Sequence, residues 1–282
     1  MVISYITQDT IRNNLKRLPQ ECHKGSNGTL NIIAGSEEFR GAADLCVSGA
    51  LRTGCGIVRL ISEEKVIASV AARHPSCIFL PTESTDALKK HIFALNTGVF
   101  LIGCGIGQSE KSASAVFSVL AKPSKAVLDA DALNIISANP QMRYQLKGHI
   151  VTPHVMEFSR LTGLSVDEIK RSPTTHSAEF SKKYGCVTVL KDSVTVIATP
   201  NESVYLSELA SEGLSKGGSG DVLSGIIGGI LAQGYTAEDS AVIGVAIHAC
   251  ASQICSNELG KRSMLPSDLE IYVARLLASL GY

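Results

Sequence analysis

Residues 217–231 read Gly217-Gly218-Ser219-Gly220-Asp221, followed by the apolar run Val-Leu-Ser-Gly-Ile-Ile-Gly-Gly-Ile-Leu. The apolar run predicts a buried helix, and the small residues before it let the backbone turn tightly and present its N–H groups. Amides at a helix N-terminus bind phosphate or a developing anion. A carboxylate beside an anion-binding site is repelled by the bound anion, so it is unfavourable there unless it acts on a proton or a metal. Asp221 is therefore a candidate general base. The alternative is that Asp221 is an ordinary N-cap residue.

The composition is typical of a globular enzyme or binding protein. The 282 residues are 45% hydrophobic and carry 26 basic and 26 acidic side chains. Zero net charge and 5% aromatic content argue against nucleic acid as a partner. The segment Met1–Thr7 lacks the features of a secretory signal, and no apolar run reaches membrane-spanning length. We therefore expect a cytoplasmic protein with no membrane partner.

The eight cysteines could form disulfides by count alone. Most of them lie in apolar segments, no CxxC pair occurs, and a chain of this size does not need covalent cross-links. We expect free, buried thiols.

Short β-branched runs alternate with patterns at helical spacing along most of the chain. Strands that are buried on both faces and separated by helices form parallel sheets. We therefore predict one domain, residues 1–282, with an α/β fold: a three-layer α/β/α sandwich around a mostly parallel sheet. The expected strands are Leu30–Ala34, Ile57–Ile61, Cys77–Leu80, Gly98–Ile102, Ala126–Leu128, His149–Thr152 and Val187–Leu190. The expected helices between them are Ala42–Arg52, Glu63–Arg73, Thr85–Leu95, Ser109–Ala121, Glu157–Leu161 and Thr175–Tyr184.

The last third of the chain departs from this alternation. Thr195–Thr199 and Ser203–Leu206 flank Pro200-Asn201-Glu202, which predicts a hairpin at the edge of the sheet. Two helices rich in small residues, Asp221–Gln233 and Ala237–Ser256, are expected after it.

Glycines and acids follow two neighbouring strands, at the end of the sheet where ligands bind in parallel folds. Gly103-Cys104-Gly105-Ile106-Gly107 opens a helix, and the next strand ends in Asp129-Ala130-Asp131. This arrangement approaches a dinucleotide fingerprint, but Gln108 stands where the third glycine is required. An NAD-dependent oxidoreductase is therefore disfavoured.

Three further side chains are candidates for the site. His154 follows Thr152-Pro153 and precedes Glu157, which could orient its ring or cap the helix, so His154 is either a substrate contact or structural. Lys191 ends a strand, where a lysine suits a nucleotide phosphate; the alternative is a solvated strand end. His248 lies in a very apolar helix and is expected to be a hydrogen-bonded core histidine. No cysteine, histidine or acid shows zinc-ligand spacing.

Taken together, these segments resemble the NAD(P)H-hydrate dehydratases of the ribokinase-like superfamily. The matching segments, in the order of the family, are His23-Lys24-Gly25 with Gly28, Gly41-Ala42-Ala43, Leu51-Arg52-Thr53-Gly54-Cys55-Gly56, Gly103 with Gly105 and Gly107, Leu128-Asp129-Ala130-Asp131-Ala132-Leu133-Asn134, Thr152-Pro153-His154 with Glu157, Leu190-Lys191, and Gly217-Gly218-Ser219-Gly220-Asp221.

The resemblance implies a ribokinase-like fold and dehydration of the S form of hydrated NADH or NADPH back to NADH or NADPH. It implies ADP, or alternatively ATP, as phosphoryl donor, with Mg²⁺ as cofactor; ADP would leave as AMP and phosphate. The stand-alone form, without an epimerase domain, is expected as a homotetramer.

The same similarity assigns roles to individual residues. Asp221 would be the catalytic base and would contact the hydrated dinucleotide together with Ala42, Gly105 and His154. No residue is assigned as a metal ligand. The residues implied to bind the adenine nucleotide are Lys191, Asp192, Ser193, Val194, Thr195, Gly218, Ser219 and Gly220.

The chain departs from the family pattern at several positions. Cys104 replaces a common Pro, Asp192 a common Gly, and Ser215-Lys216 a common Ala-Thr, which leaves open a member with altered substrate or activity. One alternative is a ribokinase-like kinase of a vitamin precursor, which would share the glycine loop and the base but leave a stable phosphorylated alcohol. The other is a non-catalytic nucleotide-binding protein.

Overall fold

One mixed sheet runs through the computed structural model, which describes residues 2–18, 21 and 24–282. Its strands are β1 (Val2–Tyr5), β2 (Thr29–Ile33), β3 (Ile57–Ser62), β4 (Ile78–Pro81), β5 (Val99–Ile102), β6 (Ala126–Leu128), β7 (Ile150–Val151), β8 (Val187–Leu190), β9 (Thr195–Ala198) and β10 (Ser203–Ser207). Their order is β1-β10-β9-β8-β7-β6-β5-β2-β3-β4. Neighbouring strands are parallel, except that β9 runs antiparallel to both β8 and β10.

Helices connect these strands. They are α1 (Gln8–Asn14), α2 (Arg40–Leu51), α3 (Glu64–Ala71), α4 (Thr85–Ala94), α5 (Glu110–Leu120), α6 (Asp131–Ala138), α7 (Val155–Thr162), α8 (Val166–Arg171), α9 (Pro173–Tyr184), α10 (Ser219–Ala232), α11 (Ala237–Leu259) and α12 (Leu269–Ser279). Short 3₁₀ turns lie at Pro140–Gln145, Glu212–Leu214 and Pro266–Asp268.

The helices cover both faces of the sheet. Apolar residues of α1, α2, α3, α10, α11 and α12 form the core on one face, and those of α4 to α9 form the core on the other. Successive residues of β5 alternate between the two: Leu101 packs in the first core, and Phe100 and Ile102 in the second. The predicted three-layer α/β/α sandwich with a mostly parallel sheet is confirmed.

The predicted position of the hairpin was wrong. β9 and β10 do form a hairpin, but β1 pairs in parallel with β10 and occupies the edge of the sheet. All four residues of β1 are exposed, so its sequence lacks the alternation that signals a half-buried strand. The short helices α1 and α8, and α6 immediately after β6, were also not predicted.

The seven cysteines among the described residues are free thiols and are buried, as predicted. Cys22 lies outside the described residues. Within the described ranges, no helix combines the length and the apolar character needed to span a membrane.

α10 packs directly against α2 because glycines remove side chains from the contact. A Cβ atom added at Gly225 would lie 2.2 Å from the carbonyl oxygen of Cys46, and one at Gly49 would lie 2.5 Å from that of Val222. Backbone atoms cannot move aside as a flexible side chain can. These close backbone contacts between α2 and α10 fix the position of the start of α10, which carries Asp221.

We predict that Gly225→Ala lowers the free energy of unfolding by about 1–3 kcal/mol, since the new methyl group must push the two helices apart. Denaturant unfolding measures this. Gly41→Ala is the control, because the same change in the first turn of α2 meets open space and should be neutral or stabilising by up to about 1 kcal/mol. Equal losses in both variants would contradict the close contact.

Candidate active site

A cavity of about 620 Å³ opens at the carboxyl ends of the parallel strands, beside the N-terminus of α10. Polar residues that follow β6, β7 and β8 form one wall, and the glycine loop before α10 forms another. The cavity is lined by nine of the sequence-predicted site residues: His154, Lys191, Asp192, Ser193, Thr195, Gly218, Ser219, Gly220 and Asp221.

A buried ion pair lies at the base of this cavity. Asp129 follows β6 and is 1% exposed; its Oδ1 accepts a hydrogen bond from Lys191 Nζ at 2.8 Å and another from the backbone N–H of Ala130. Ser224 Oγ donates to Oδ2 at 2.6 Å. Burial alone would raise the pKa of Asp129, but the charge and hydrogen bonds of Lys191 and Ser224 outweigh it and lower the pKa. Asp129 is therefore held as a carboxylate.

Lys191 is not a solvated strand end, so that alternative was wrong. Burial would lower the pKa of its ammonium, but the nearby carboxylates of Asp129 and Glu157 reverse the effect and raise it. The strand continues past β8 through a bridge to His154, and the backbone N–H of Lys191 donates to Pro153 O at 2.8 Å. A positive charge is thus fixed on the cavity wall.

Asp221 is the third residue of α10, not its N-cap. The N-cap is Gly218, whose φ of +102° a side chain rarely adopts, so the ordinary-cap alternative for Asp221 was wrong. Burial and the negative charge of Asp129 raise the pKa of Asp221 to about 7, against weaker effects of a hydrogen bond with Cys104 and the charge of Lys191. A group with this pKa can accept and return a proton at neutral pH.

His154 caps α7 with its own ring. Its Nδ1 accepts hydrogen bonds from the backbone N–H groups of Met156 and Glu157, at 3.1 and 3.3 Å, and the backbone N–H of His154 donates to Glu157 Oε2 at 2.8 Å. An accepting Nδ1 places the proton on Nε2, which lies 3.3 Å from Glu157 Oε1. Burial and the charge of Lys191 lower the pKa of His154, which favours this neutral form. His154 therefore has a structural role as the cap of α7, and it also lines the cavity.

Two further polar groups line the cavity: His248, which was expected to have a core role, and Ser219, which was expected in the nucleotide site. His248 is 7% exposed, as a core residue would be, and the backbone of Ser219 is a hydrogen-bond partner of its ring, but its Nε2 has no partner in the described part of the chain. Burial lowers the pKa of His248 to about 4, so the ring is neutral at pH 7. Ser219 Oγ is likewise buried and lacks a partner among the described residues.

The remaining predicted residues lie outside the main cavity. A Cβ atom at Gly105 would lie 2.8 Å from the Cβ of Ala42, so these two residues touch, and the neighbouring Cys104 lies against Asp221. Ala42 and Gly105 therefore adjoin the cavity on the Asp221 side. Val194 lines a separate cavity of about 350 Å³ that shares Asp192 and Ser193 with the main one. His23 lies outside the described residues.

The family follows from sequence comparison. Residues 30–275 match the profile of a family described as NAD(P)H-hydrate dehydratase. This chain belongs to that family. The resemblance inferred from its motifs is thereby confirmed, and the motif residues Asp129, His154, Glu157, Lys191 and Gly217–Asp221 line the cavity.

Individual members of the NAD(P)H-hydrate dehydratase family cover nearly the whole chain. The ADP-dependent (S)-NAD(P)H-hydrate dehydratase of Neisseria meningitidis serogroup B is 34% identical over 251 residues, which are 87% of this chain and 83% of its own. The bifunctional NAD(P)H-hydrate repair enzyme of Coxiella burnetii is 34% identical over 90% of this chain, which spans only 51% of the bifunctional enzyme. This chain therefore covers about half the length of that relative.

A solved structure agrees with the fold. The ADP/ATP-dependent NAD(P)H-hydrate dehydratase from Bacillus subtilis, co-crystallised with ATP and Mg²⁺, superimposes with a TM-score of 0.86 at 28% identity. The match covers 97% of each chain. The predicted ribokinase-like fold class is confirmed.

We predict that Lys191→Met lowers the free energy of unfolding by about 3–5 kcal/mol, because it leaves the carboxylate of Asp129 buried without a counter-charge. Adding Asp129→Asn to the same chain should restore most of the loss. Denaturant unfolding measures both variants. The control is Lys182→Met, which breaks an exposed ion pair with Glu202 and should cost less than about 1 kcal/mol. An additive double variant would contradict the coupling of Asp129 and Lys191.

Proposed function

We propose that this protein is an ADP-dependent NAD(P)H-hydrate dehydratase, a hydro-lyase that returns the S form of hydrated NADH or NADPH to NADH or NADPH. Membership of the dehydratase family supports the proposal. The observation that carries it is the carboxyl of Asp221, with a pKa of about 7, in the first turn of α10 and on the same cavity as Lys191. The cavity thus brings together a general base, Asp221, the anion-binding N-terminus of α10 and the positive charge of Lys191.

The chemistry that such a site supports begins with activation of a poor leaving group. Hydroxide leaves carbon badly, so the hydroxyl of the hydrate must first be phosphorylated. Asp221 accepts the hydroxyl proton as the oxygen attacks the terminal phosphorus of the nucleotide. The backbone N–H groups of Ser219 and Gly220, at the positive end of α10, stabilise the charge that develops on the phosphoryl oxygens.

Elimination then completes the dehydration. Phosphate leaves with the electron pair of the carbon–oxygen bond while the ring nitrogen supplies electrons, and loss of a neighbouring ring proton restores the double bond. Starting from ADP, the products are AMP, phosphate and the reduced nicotinamide cofactor. Ala42, Gly105 and His154 would contact the dinucleotide on the Asp221 side, and Lys191–Thr195 with Gly218–Gly220 would contact the adenine nucleotide.

Of the two carboxylates on the cavity wall formed by the strand ends, Glu157 fits Mg²⁺ better than Asp129 does. Mg²⁺ takes oxygen ligands and is usually held by one or two carboxylates together with substrate phosphates and water. The oxygens of Asp129 are occupied by Lys191, Ser224 and Ala130. Glu157 lines the cavity, and among the described residues the polar neighbour of its Oε1 is the ring of His154, whose Nε2 lies 3.3 Å away. Glu157 would hold the cation, whose charge would offset that of the phosphates.

The direct test measures recovery of reduced-nicotinamide absorbance from NADH hydrate in the presence of Mg²⁺ and either ADP or ATP. We expect recovery with ADP and release of one phosphate per NADH formed. Asp221→Asn should reduce the rate by at least about 10³-fold, since it removes the base. Asp167→Asn, an exposed aspartate on α8, should leave the rate unchanged.

The same assay separates the alternatives. The rate should rise with pH through about 7, because Asp221 must be ionised to accept the proton. A vitamin-precursor kinase would give no NADH and would leave a stable phosphorylated alcohol. Nucleotide binding without turnover, from folded protein, would support a non-catalytic binder and contradict the proposal.

Three expectations stay predictions: a single domain over residues 1–282, assembly into a homotetramer and a cytoplasmic location. The first is supported by the continuous sheet, which joins β1 to strands from the middle and the last third of the chain. Analytical ultracentrifugation decides the assembly.

A further inference from the structure

Two thiols lie beside the candidate base. Cys46, on α2, and Cys104, two residues after the end of β5, are both fully buried. Their Sγ atoms and a carboxylate oxygen of Asp221 all lie within 4.8 Å of one another. The two thiols and the carboxyl are therefore close enough to affect one another's protonation. The proposed function uses neither thiol.

This arrangement differs from that of the other cysteines. Cys55 and Cys77 donate to nearby main-chain carbonyls, at 3.4 Å to Ile57 O and 3.6 Å to Ile78 O, as buried thiols in a core commonly do. Cys104 instead donates to the carboxylate of Asp129, at 3.8 Å, and lies against a second carboxylate. Sulfur and carboxylate oxygen together form a donor set.

We infer that Cys46, Cys104 and Asp221 form a binding site for a thiophilic divalent cation such as Zn²⁺, and that occupancy of this site inhibits the enzyme. In a tetrahedral zinc site the ligand atoms lie roughly 3.6–3.8 Å apart, so shifts of about 1 Å would close the cluster around the ion. Two thiolates select Zn²⁺ or Cd²⁺ over Mg²⁺, which prefers oxygen. The cluster is therefore distinct from Glu157, the residue that would hold Mg²⁺ under the proposed function.

The surroundings accommodate such a cation. Asp129 adds negative charge beside Cys104, and Lys191 opposes it from the far side of Asp129. Asp221 lines the 620 Å³ cavity, so the cation would reach the two buried thiols from the side of this carboxylate. A carboxylate that coordinates the cation cannot accept the substrate proton. The inhibitory effect rests on the proposed function, whereas the binding site does not.

The test uses Cd²⁺ as probe on the reduced full-length protein, because cadmium–thiolate bonds give an ultraviolet charge-transfer band. We expect one Cd²⁺ per chain with such a band. Cys46→Ala and Cys104→Ala should each weaken binding at least ten-fold, and the double variant should lose the band. Cys77→Ala, a buried cysteine outside the cluster, should bind as the parent does. Circular dichroism and thermal melting establish that each variant is folded.

Zn²⁺ should inhibit NADH-hydrate dehydration reversibly, and a chelator should restore the rate. Inhibition should need at least ten-fold more Zn²⁺ in Cys46→Ala. Absence of the band in the parent, or a band of equal strength in the folded double variant, would overturn the binding site. Binding without inhibition of an active enzyme would overturn the inhibitory role. If no dehydration is observed at all, the proposed function fails, while the cadmium band still decides the site.

Discussion

The buried pair of Asp129 and Lys191 governs the electrostatics of the site. A carboxylate with 1% exposure is tolerated only because an ammonium and a hydroxyl compensate it. Burial raises the pKa of Asp221, and the negative charge of Asp129 adds to the effect, so that this pKa is about 7. One ion pair therefore provides both a fixed positive charge on the cavity wall and a base that is poised at neutral pH.

The fold delivers these groups to one point by close packing. Three parallel strands, β6, β7 and β8, end at the same edge of the sheet and place Asp129, His154 and Lys191 there. The glycine contacts between α2 and α10 bring Asp221 to the same edge from another part of the chain. Lys216, which departs from the family pattern, donates to the carbonyl oxygens of Arg262 and Met264 and so ties the glycine loop to the segment before α12.

Local sequence signals predicted the central elements and the family well. β-Branched runs marked the inner strands because both of their faces are buried, and the glycine loop marked the start of α10. β1 was not predicted, because all of its residues are exposed and its sequence shows no alternation of polar and apolar side chains. The backbone conformation of Ala130, with a φ of +47°, was not predicted, because no sequence rule assigns this conformation to alanine.

The parts of the site that depend on contacts distant in sequence could not be predicted. Asp129 belongs to a recognisable motif, but nothing in the sequence shows that Lys191 neutralises its charge. The proximity of Cys46 to Cys104 depends on how α2 lies on the sheet, which spacing along the chain does not encode. Likewise, the position of His248 on the cavity wall depends on how α11 lies beside the glycine loop, which the sequence does not show.

The most direct test of this account is the pKa of Asp221 itself, measured by ¹³C NMR of the side-chain carboxyl in protein labelled at aspartate, with Asp221→Asn to assign the signal. The account predicts titration near pH 7 in the parent chain and a lower value in Asp129→Asn, because the neighbouring negative charge is gone. Titration near the ordinary aspartate value of 3.8 in both proteins would contradict it.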